Sequence, residues 1–146
     1  MSITIVQLTK ENSKLLRNLD ESVFDQEIDD DRLAAFLDDS NHILLVALNE
    51  NIVIGQISAV IHRHPDKPTE LYVDDLAVAD SHLRQGIATR LVKELSTIGG
   101  ERGCEEIWVA TEPGNNSANG LYRSVALAEN SALIFDRKLT PKDWMA

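Results

Sequence analysis

The amino-acid sequence predicts a single α/β domain with a mixed, mostly antiparallel sheet and flanking helices. The chain has 146 residues, of which 43% are hydrophobic, enough to fill one core. Runs rich in β-formers alternate with runs of helical period in the order β-α-α-β-β-β-α-β-α-β. A strand-helix-strand crossover in the second half requires parallel pairing there. We therefore expect residues 1–146 to form one domain.

The first half of the chain supplies the antiparallel part of the predicted sheet. Acceptor side chains before an apolar run mark helix starts, and Asn49, Glu50 and Asn51 between two β-rich runs indicate a hairpin. The predicted elements are a strand over 3–8, a helix over 10–20, a helix from 29–31 to about 41, and strands over 42–48 and 52–62.

The second half begins after a loop that Pro65 and Pro68 break. Apolar residues from Ala88 to Ile98 recur at helical spacing, and β-rich runs lie on both sides of them. The predicted elements are a strand over 70–78, a helix over 85–98, a strand over 106–111, a helix over 115–125 and a last strand over 132–139.

Charge and composition exclude several classes of protein. The chain has 24 acidic and 14 basic residues, a net charge of -10, which opposes nucleic-acid binding because that affinity depends on neutralising phosphates. Lys10, Glu11 and Lys14 interrupt the region where a signal peptide would be apolar, and the longest apolar run is 43–48. We expect a cytoplasmic protein with no membrane or nucleic-acid partner.

Neither a disulfide framework nor a metal site is expected. Cys104 is the single cysteine of the chain. The four histidines lack the spacing of metal ligands, and we expect those near the 63–68 loop to be surface residues. The histidines are His42, His62, His64 and His82.

The segment from Asp74 to Leu95 carries the most information about function. A predicted strand ends at Val78, and Gly86 then opens an amphipathic helix, whose first backbone N–H groups have no partner within the helix. Such a helix start attracts anions, and glycine lets a pyrophosphate approach the backbone. A packing or capping glycine would give the same pattern. The P-loop and GxGxxG patterns of nucleotide sites are absent.

This segment resembles the acetyl-coenzyme A site of the GNAT superfamily of N-acetyltransferases, whose motif [QR]xxGx[GA] aligns with residues 83–88. Gly86 and Ala88 match the motif, Arg84 fits its basic loop, and Leu83 departs from its first position. The resemblance implies a GNAT-like sheet in which two parallel strands splay apart.

A second motif supports the resemblance. The run NNSANGLYRS is similar to the later NxxAxxLY pattern of the superfamily, with matches at Asn115, Ala118, Leu121 and Tyr122. A Gly-Phe pair commonly follows this tyrosine in the superfamily, whereas Ser, Val and Ala follow at 124–126 here. The last loop and strand are therefore the least determined part of the prediction.

The resemblance implies acetyl-coenzyme A or coenzyme A as the cofactor. Exposed strand backbone would pair with the pantetheine arm, and the loop and helix start would hold the pyrophosphate. The implied cofactor-binding residues are Leu76, Ala77, Val78, Leu83, Arg84, Gln85, Gly86, Ile87, Ala88, Thr89, Asn115, Ala118 and Tyr122. For Asn115 a helix cap is an equal alternative.

The implied catalytic residues are Asp75 and Tyr122. Transfer needs a neutral amine, so Asp75 would accept its proton or orient the cation, and Tyr122 would protonate the leaving thiolate. The alternatives are an exposed strand-end carboxylate and an aromatic core residue. The expected substrate-binding residues are Asp25, Glu27, Asp74, Asp75 and Glu112.

Within the superfamily, ELYVDDLAV followed by QGIAT most resembles the aminoglycoside 3-N-acetyltransferases. A cleft rich in carboxylates would suit their polycationic substrates, since several weak ion pairs add up. The sequence therefore predicts acetylation of an aminoglycoside 3-amino group, and antibiotic resistance. A polyamine, another small amine or a peptide suits the same features, and a non-catalytic coenzyme A-binding module is a further alternative. Related enzymes suggest a homodimer.

Overall fold

The structure is a computed structural model that describes residues 2–145. One five-stranded sheet forms its centre, with the strands in sequence order across the sheet. The first four strands pair antiparallel, and the last two pair parallel, which confirms the predicted fold class. The strands are β1 (Thr4–Gln7), β2 (His42–Asn49), β3 (Ile52–His62), β4 (Thr69–Val78) and β5 (Cys104–Trp108).

Helices cover both faces of this sheet. None of the helices within residues 2–145 is long and apolar enough to cross a membrane. The α-helices are α1 (Asp30–Asp38), α2 (Ile87–Glu101), α3 (Asn116–Ser124) and α4 (Pro141–Trp144), and short 3-10 helices occupy Ser13–Arg17, Glu21–Val23 and Asp80–His82.

The β2–β3 hairpin forms the middle of the core. Glu50 and Asn51 both have positive φ, 50° and 69°, as a two-residue hairpin turn requires for its twist to match the strands. Residues 43–48 of β2 are all buried, because α2 covers one face of the sheet and the N-terminal segment packs on the other. The predicted hairpin is confirmed.

Helix α2 packs closely against the sheet. Ile87, Leu91 and Leu95 recur every four residues and are 2%, 0% and 0% exposed. At Gly99 an added Cβ would lie 2.7 Å from Cδ2 of Leu71 in β4, so a larger residue there would push the helix away. This contact holds the end of α2 against the start of β4.

The helix expected over 10–20 is wrong, because side-chain hydrogen bonds compete with helix formation. Asn12 accepts from the Thr9 N–H at 2.7 Å and donates to the Gln7 carbonyl at 2.9 Å. Only a 3-10 turn over Ser13–Arg17 follows. The chain then runs alongside β3, where the Asp20 N–H donates to the Val53 carbonyl at 2.9 Å.

The strand expected over 132–139 is also wrong. These residues have no regular secondary structure in the described chain. Leu133, Phe135 and Leu139 are 84%, 89% and 74% exposed. The sequence has the pattern of a strand, but a strand needs a neighbour to pair its backbone groups, and no described strand lies alongside.

Candidate active site

The two parallel strands β4 and β5 diverge at the centre of the molecule. Their register runs from Thr69 opposite Cys104 to Tyr72 opposite Trp108 and, among residues 2–145, goes no further. Val73 and residues 75–78 of β4 keep their antiparallel partners in β3. Leu76, Ala77 and Val78, the strand residues predicted to contact the cofactor, therefore present unpaired backbone groups towards the gap.

A bulge in β4 sets which side chains face this gap. Asp75 lies opposite Ser58, and Val73 lies opposite Ala59, so Asp74 is an extra residue without a partner in β3. An extra residue reverses the alternation of side chains beyond it. Asp75 consequently shares its face with Tyr72, while Leu76 returns to the buried face that holds Val73.

Two hydrogen bonds hold the carboxylate of Asp75. The Leu76 N–H donates to its Oδ1 at 3.0 Å, and the side-chain amide of Gln56 donates to its Oδ2 at 2.7 Å. Partial burial raises the pKa of Asp75 and is the largest effect. The Gln56 hydrogen bond opposes it, and the nearby charge of Asp25 raises the pKa further.

Gln56 is a site residue that the sequence analysis missed. It is fully buried in β3, and besides Asp75 its Nε2 donates to the Val23 carbonyl at 3.1 Å. Its Oε1 has no hydrogen-bond partner in the described chain. A glutamine within the apolar run IVIGQISAV was the available signal, since a polar side chain in a central strand needs a specific partner.

Helix α3 brings Tyr122 to the same place. The charge of Asp75 acts on Tyr122, and so does Tyr72, whose ring lies tilted against that of Trp108 with centroids 4.5 Å apart. Burial raises the pKa of Tyr122 above its usual value near 10, with smaller contributions in the same direction from Asp75 and Tyr72. The phenol is therefore protonated at neutral pH.

The four other predicted substrate carboxylates are distributed unevenly. Asp25 follows the Glu21–Val23 turn and lies close enough to Asp75 to affect its pKa. Glu27 is exposed further along the same loop. Asp74 lies at the bulge, where partial burial of its carboxyl raises its pKa and the nearby His42 opposes that rise to a lesser extent.

Glu112 does not lie at a strand end as expected. Strand β5 stops at Trp108, so Glu112 falls in the loop before α3, and its side chain is exposed. The Glu112 carbonyl accepts a hydrogen bond from the buried side chain of Asn119 at 3.1 Å, as does the Pro113 carbonyl. This loop is therefore held by α3 through backbone groups.

The start of α2 has the predicted form of an anion site. The helix begins at Ile87, and its N-cap Gly86 has φ +75°, offers no capping side chain, and has open space where a Cβ would be. The first N–H groups, at Ile87, Ala88 and Thr89, lack intrahelical partners and point outward with the positive end of the helix dipole.

Side chains in this loop divide into two groups. Leu83, Arg84, Gln85 and Thr89 are exposed, and Arg84 has φ +62°, which turns the chain sharply before the helix. The side chains of Ile87 and Ala88 are buried in the core. Any contact of those two residues with a ligand must therefore use their backbone.

The second motif, NNSANGLYRS, lies at the start of α3 and within it. Asn115 caps α3, since its Oδ1 accepts from the Ala118 N–H at 3.1 Å, so the alternative of a helix cap is confirmed. Ala118 is half-buried one turn before Tyr122.

A sheet opened between parallel strands, with a helix start at one end of the gap and a carboxylate and a phenol at its side, defines an acyl-coenzyme A-dependent transferase. Residues 9–126 match the Acetyltransferase (GNAT) family, and the chain belongs to that family. It is an acetyl-coenzyme A-dependent N-acetyltransferase. The free edge of β4 and the open, uncapped start of α2 fit the arm and the pyrophosphate of the cofactor.

Individual relatives support this assignment. Aminoglycoside N(6')-acetyltransferase type 1 of Salmonella enteritidis is 25% identical over 146 residues, which cover 92% of this chain and 97% of the relative. An aminoglycoside acetyltransferase from an uncultured soil metagenomic sample, crystallised with trehalose, has a TM-score of 0.81 at 26% identity, covering 94% and 97% of the two chains.

A third relative shares the fold. AAC(6')-Iy in complex with the bisubstrate analog CoA-S-monomethyl-acetylneamine has a TM-score of 0.81 at 23% identity, covering 96% of this chain and all of that one, 100%. Those relatives whose names give the acetylated position are 6'-acetyltransferases. The expected resemblance to 3-N-acetyltransferases therefore has no support among them.

We expect Gln56→Met to shift the pH dependence of acetyl transfer. The substitution keeps the volume but removes the hydrogen bond that lowers the pKa of Asp75. If the Asp75 carboxylate acts in its ionised form, the acidic limb of kcat/KM moves to higher pH and kcat falls. Gln7→Met, the same change at an exposed position of β1, is the control and leaves the profile unchanged. A lower stability with an unmoved acidic limb would show that Gln56 is only structural.

Proposed function

We propose that this enzyme acetylates an amino group of an aminoglycoside and thereby confers resistance to it. The observation that carries the proposal is that Gln56 donates both to the Val23 carbonyl and to the Asp75 carboxylate, which brings Asp25, two residues after Val23, near Asp75. Two neighbouring carboxylates favour a substrate with more than one ammonium group. The relatives named as aminoglycoside acetyltransferases, at 25% and 26% identity, point the same way.

We propose the 6'-amino group as the acceptor, in place of the 3-amino group expected from the sequence. The support is the Salmonella enteritidis relative, which is named as a 6'-acetyltransferase and matches this chain over 97% of the relative's length. One N-acetyltransferase domain over residues 1–146 would then perform the reaction.

The residues at the gap divide the proton transfers between them. Bound acetyl-coenzyme A supplies an activated acetyl thioester. Asp75 holds the substrate ammonium and takes its proton, directly or through a water, because only the neutral amine has a lone pair. Burial raises the pKa of Asp75, which makes it a better base than an exposed carboxylate. Tyr122, kept protonated by its raised pKa, donates its proton to the leaving sulfur.

The proposed regiochemistry can be tested with two matched substrates. Neomycin has an amino group at the 6' position, where paromomycin has a hydroxyl. We expect rapid thiol release from acetyl-coenzyme A with neomycin, and little with paromomycin, spermidine or basic peptides, and NMR of the product should place the acetyl group. Equal rates on the pair would exclude the 6' position. Activity confined to spermidine or peptides would overturn the aminoglycoside proposal and favour a general amine acetyltransferase.

The same assay tests the two proposed catalytic residues. Asp75→Asn and Tyr122→Phe should each lower kcat/KM by about 100-fold or more, the range for loss of a general acid or base, with little change in coenzyme A affinity. Asp74→Asn, its neighbour at the bulge, serves as the matched control. Equal losses of kcat/KM in Asp74→Asn and Asp75→Asn would indicate that only the negative charge of this region matters and that Asp75 has no specific role.

We also propose that the start of α2 binds the pyrophosphate through the backbone of residues 84–89, with Gly86 giving it access. In Gly86→Ala, the added methyl group enters the open space before the helix and should weaken coenzyme A binding at least about tenfold, or about 1.4 kcal/mol. Gly103 has φ +90° and equally open surroundings at the other end of α2.

Gly103→Ala is therefore the matched control for backbone strain. Both substitutions put alanine in the left-handed region and should cost roughly 1–2 kcal/mol of unfolding free energy, measured by denaturant titration. Calorimetric titration of coenzyme A should separate them. Two variants with the same affinity as wild type would mean that the pyrophosphate binds elsewhere.

We propose a homodimer in which residues 132–139 of one copy pair with the free edge of β5 in the other. This segment has the pattern of a strand yet exposes its apolar side chains, and β5 is the edge strand of the sheet. Lys138 would approach one of the two exposed carboxylates of β5, Glu105 or Glu106, which point to opposite faces. Both unpaired surfaces occur in each copy, so a two-fold dimer would satisfy both at once.

Phe135→Asp should convert the dimer into a monomer, measured by light scattering after size-exclusion chromatography. The exposed Asn130→Asp adds the same charge nearby and should leave the dimer intact. A wild-type protein that is monomeric at all concentrations would contradict the proposal.

A further inference from the structure

A second cluster of chemically active side chains lies at the opposite end of β4 from the gap. His62, His64 and Glu70 each offer one ligand atom, and all of these atoms lie within 4.8 Å of one another. We propose that these three residues form a binding site for a divalent transition metal ion, with Zn²⁺ as the best match. No metal ligand is expected here from the sequence, in which the histidines lack the spacing of metal ligands. Glu70, the third residue, follows them only after the 63–68 loop.

The local fold explains how these residues meet. His62 is the last residue of β3 and lies directly opposite Glu70 of β4 in the register, so the two side chains are cross-strand neighbours. His64 lies two residues beyond His62, where an extended chain returns to the same face. The two imidazole rings lie side by side, with centroids 4.3 Å apart.

The distances suit a tetrahedral ion. Oε2 of Glu70 lies 2.9 Å from Nε2 of His64 and 3.9 Å from Nδ1 of His62. Ligand atoms about 2.0–2.2 Å from a tetrahedral Zn²⁺ are roughly 3.3–3.6 Å apart, a value between these two distances. A small rearrangement would replace the His64 hydrogen bond with bonds to an ion. Two imidazoles and a carboxylate form a zinc ligand set that leaves a fourth position for water.

The surroundings set the expected strength of binding. Glu70 and His64 are partly buried, with side chains 27% and 17% exposed, while His62 is 54% exposed and keeps the site open to solvent. Lys67 in the adjoining loop acts on Glu70 and opposes a cation, whereas Glu106, opposite Glu70 in β5, favours one. We therefore expect weaker binding than at a closed structural zinc site.

Such an ion would connect the end of β3 to the start of β4 across the 63–68 loop. Asp75 lies about 16 Å further along β4, at about 3.3 Å per residue, so the ion would not reach the reacting groups. Binding to the folded protein alone would raise its melting temperature by mass action. The site would stabilise the half of β4 that is paired with β5.

The test is titration of the tag-free, full-length protein with Zn²⁺ alone by calorimetry, together with visible absorption on adding Co²⁺. We expect one saturable site, a higher melting temperature with Zn²⁺, and a Co²⁺ spectrum typical of low coordination number. His62→Gln, His64→Gln and Glu70→Gln should each weaken Zn²⁺ binding about tenfold or more. His82→Gln, which removes a histidine elsewhere, should keep wild-type affinity and is the matched control.

Two results would overturn the site. The first is the absence of saturable Zn²⁺ binding by the wild-type protein, which would leave His64 and Glu70 as a simple hydrogen-bonded pair. The second is equal weakening in His82→Gln and in the three ligand variants, which would indicate non-specific surface binding. Acetyl transfer by Glu70→Gln should equal that of the wild type, so a failure here is distinguishable from a failure of the proposed function.

Discussion

The separation of β4 from β5 is the constraint on which the rest of the site depends. Parallel pairing holds the strands together from Thr69 to Tyr72, and the remaining residues of β4 have a partner only on the β3 side. Backbone groups left without a partner favour any ligand that can complete the ladder. The gap can stay open because β3 and the packing of α2 hold β4 from its other sides. The free edge of β4 is therefore a preformed feature of the sheet.

The bulge at Asp74 then decides which acid faces the gap. Without the extra residue, Asp75 would share a face with the buried Val73, where an unpaired carboxylate would be costly. With it, the Asp75 carboxylate accepts a hydrogen bond from the amide of Gln56, and its charge acts on the phenol of Tyr122. Burial and the charge of Asp25 raise the pKa of the Asp75 carboxyl, which makes it a stronger base. The hydrogen bond from Gln56 lowers this pKa but fixes the orientation of the carboxylate.

Elements determined by local chemistry could be predicted from the sequence, and those determined by distant partners could not. The β2–β3 hairpin, α1 with its Asp29 cap, and the Gly86 turn follow from short-range signals. The bulge changes the face of Asp75 without any mark in the sequence, and the partners of Gln56 come from two separate segments. The prediction of a last strand over 132–139 was wrong for a related reason. The alternating pattern indicates that the segment can pair, but it does not indicate which strand would be its partner.

Strand β4 shows why one element can carry two unrelated kinds of chemistry. Its first half is paired on both sides, so Glu70 is fixed opposite His62 with little freedom, as preorganised ligands require. Its second half is paired on one side, so the backbone around Asp75 remains available to a ligand. The change from two partners to one follows Tyr72, the last residue of β4 that pairs with β5, whose tilted ring lies against that of Trp108 with centroids 4.5 Å apart. The Tyr72–Trp108 pair therefore marks the boundary between the half of β4 that is paired on both sides and the half whose outer edge is free.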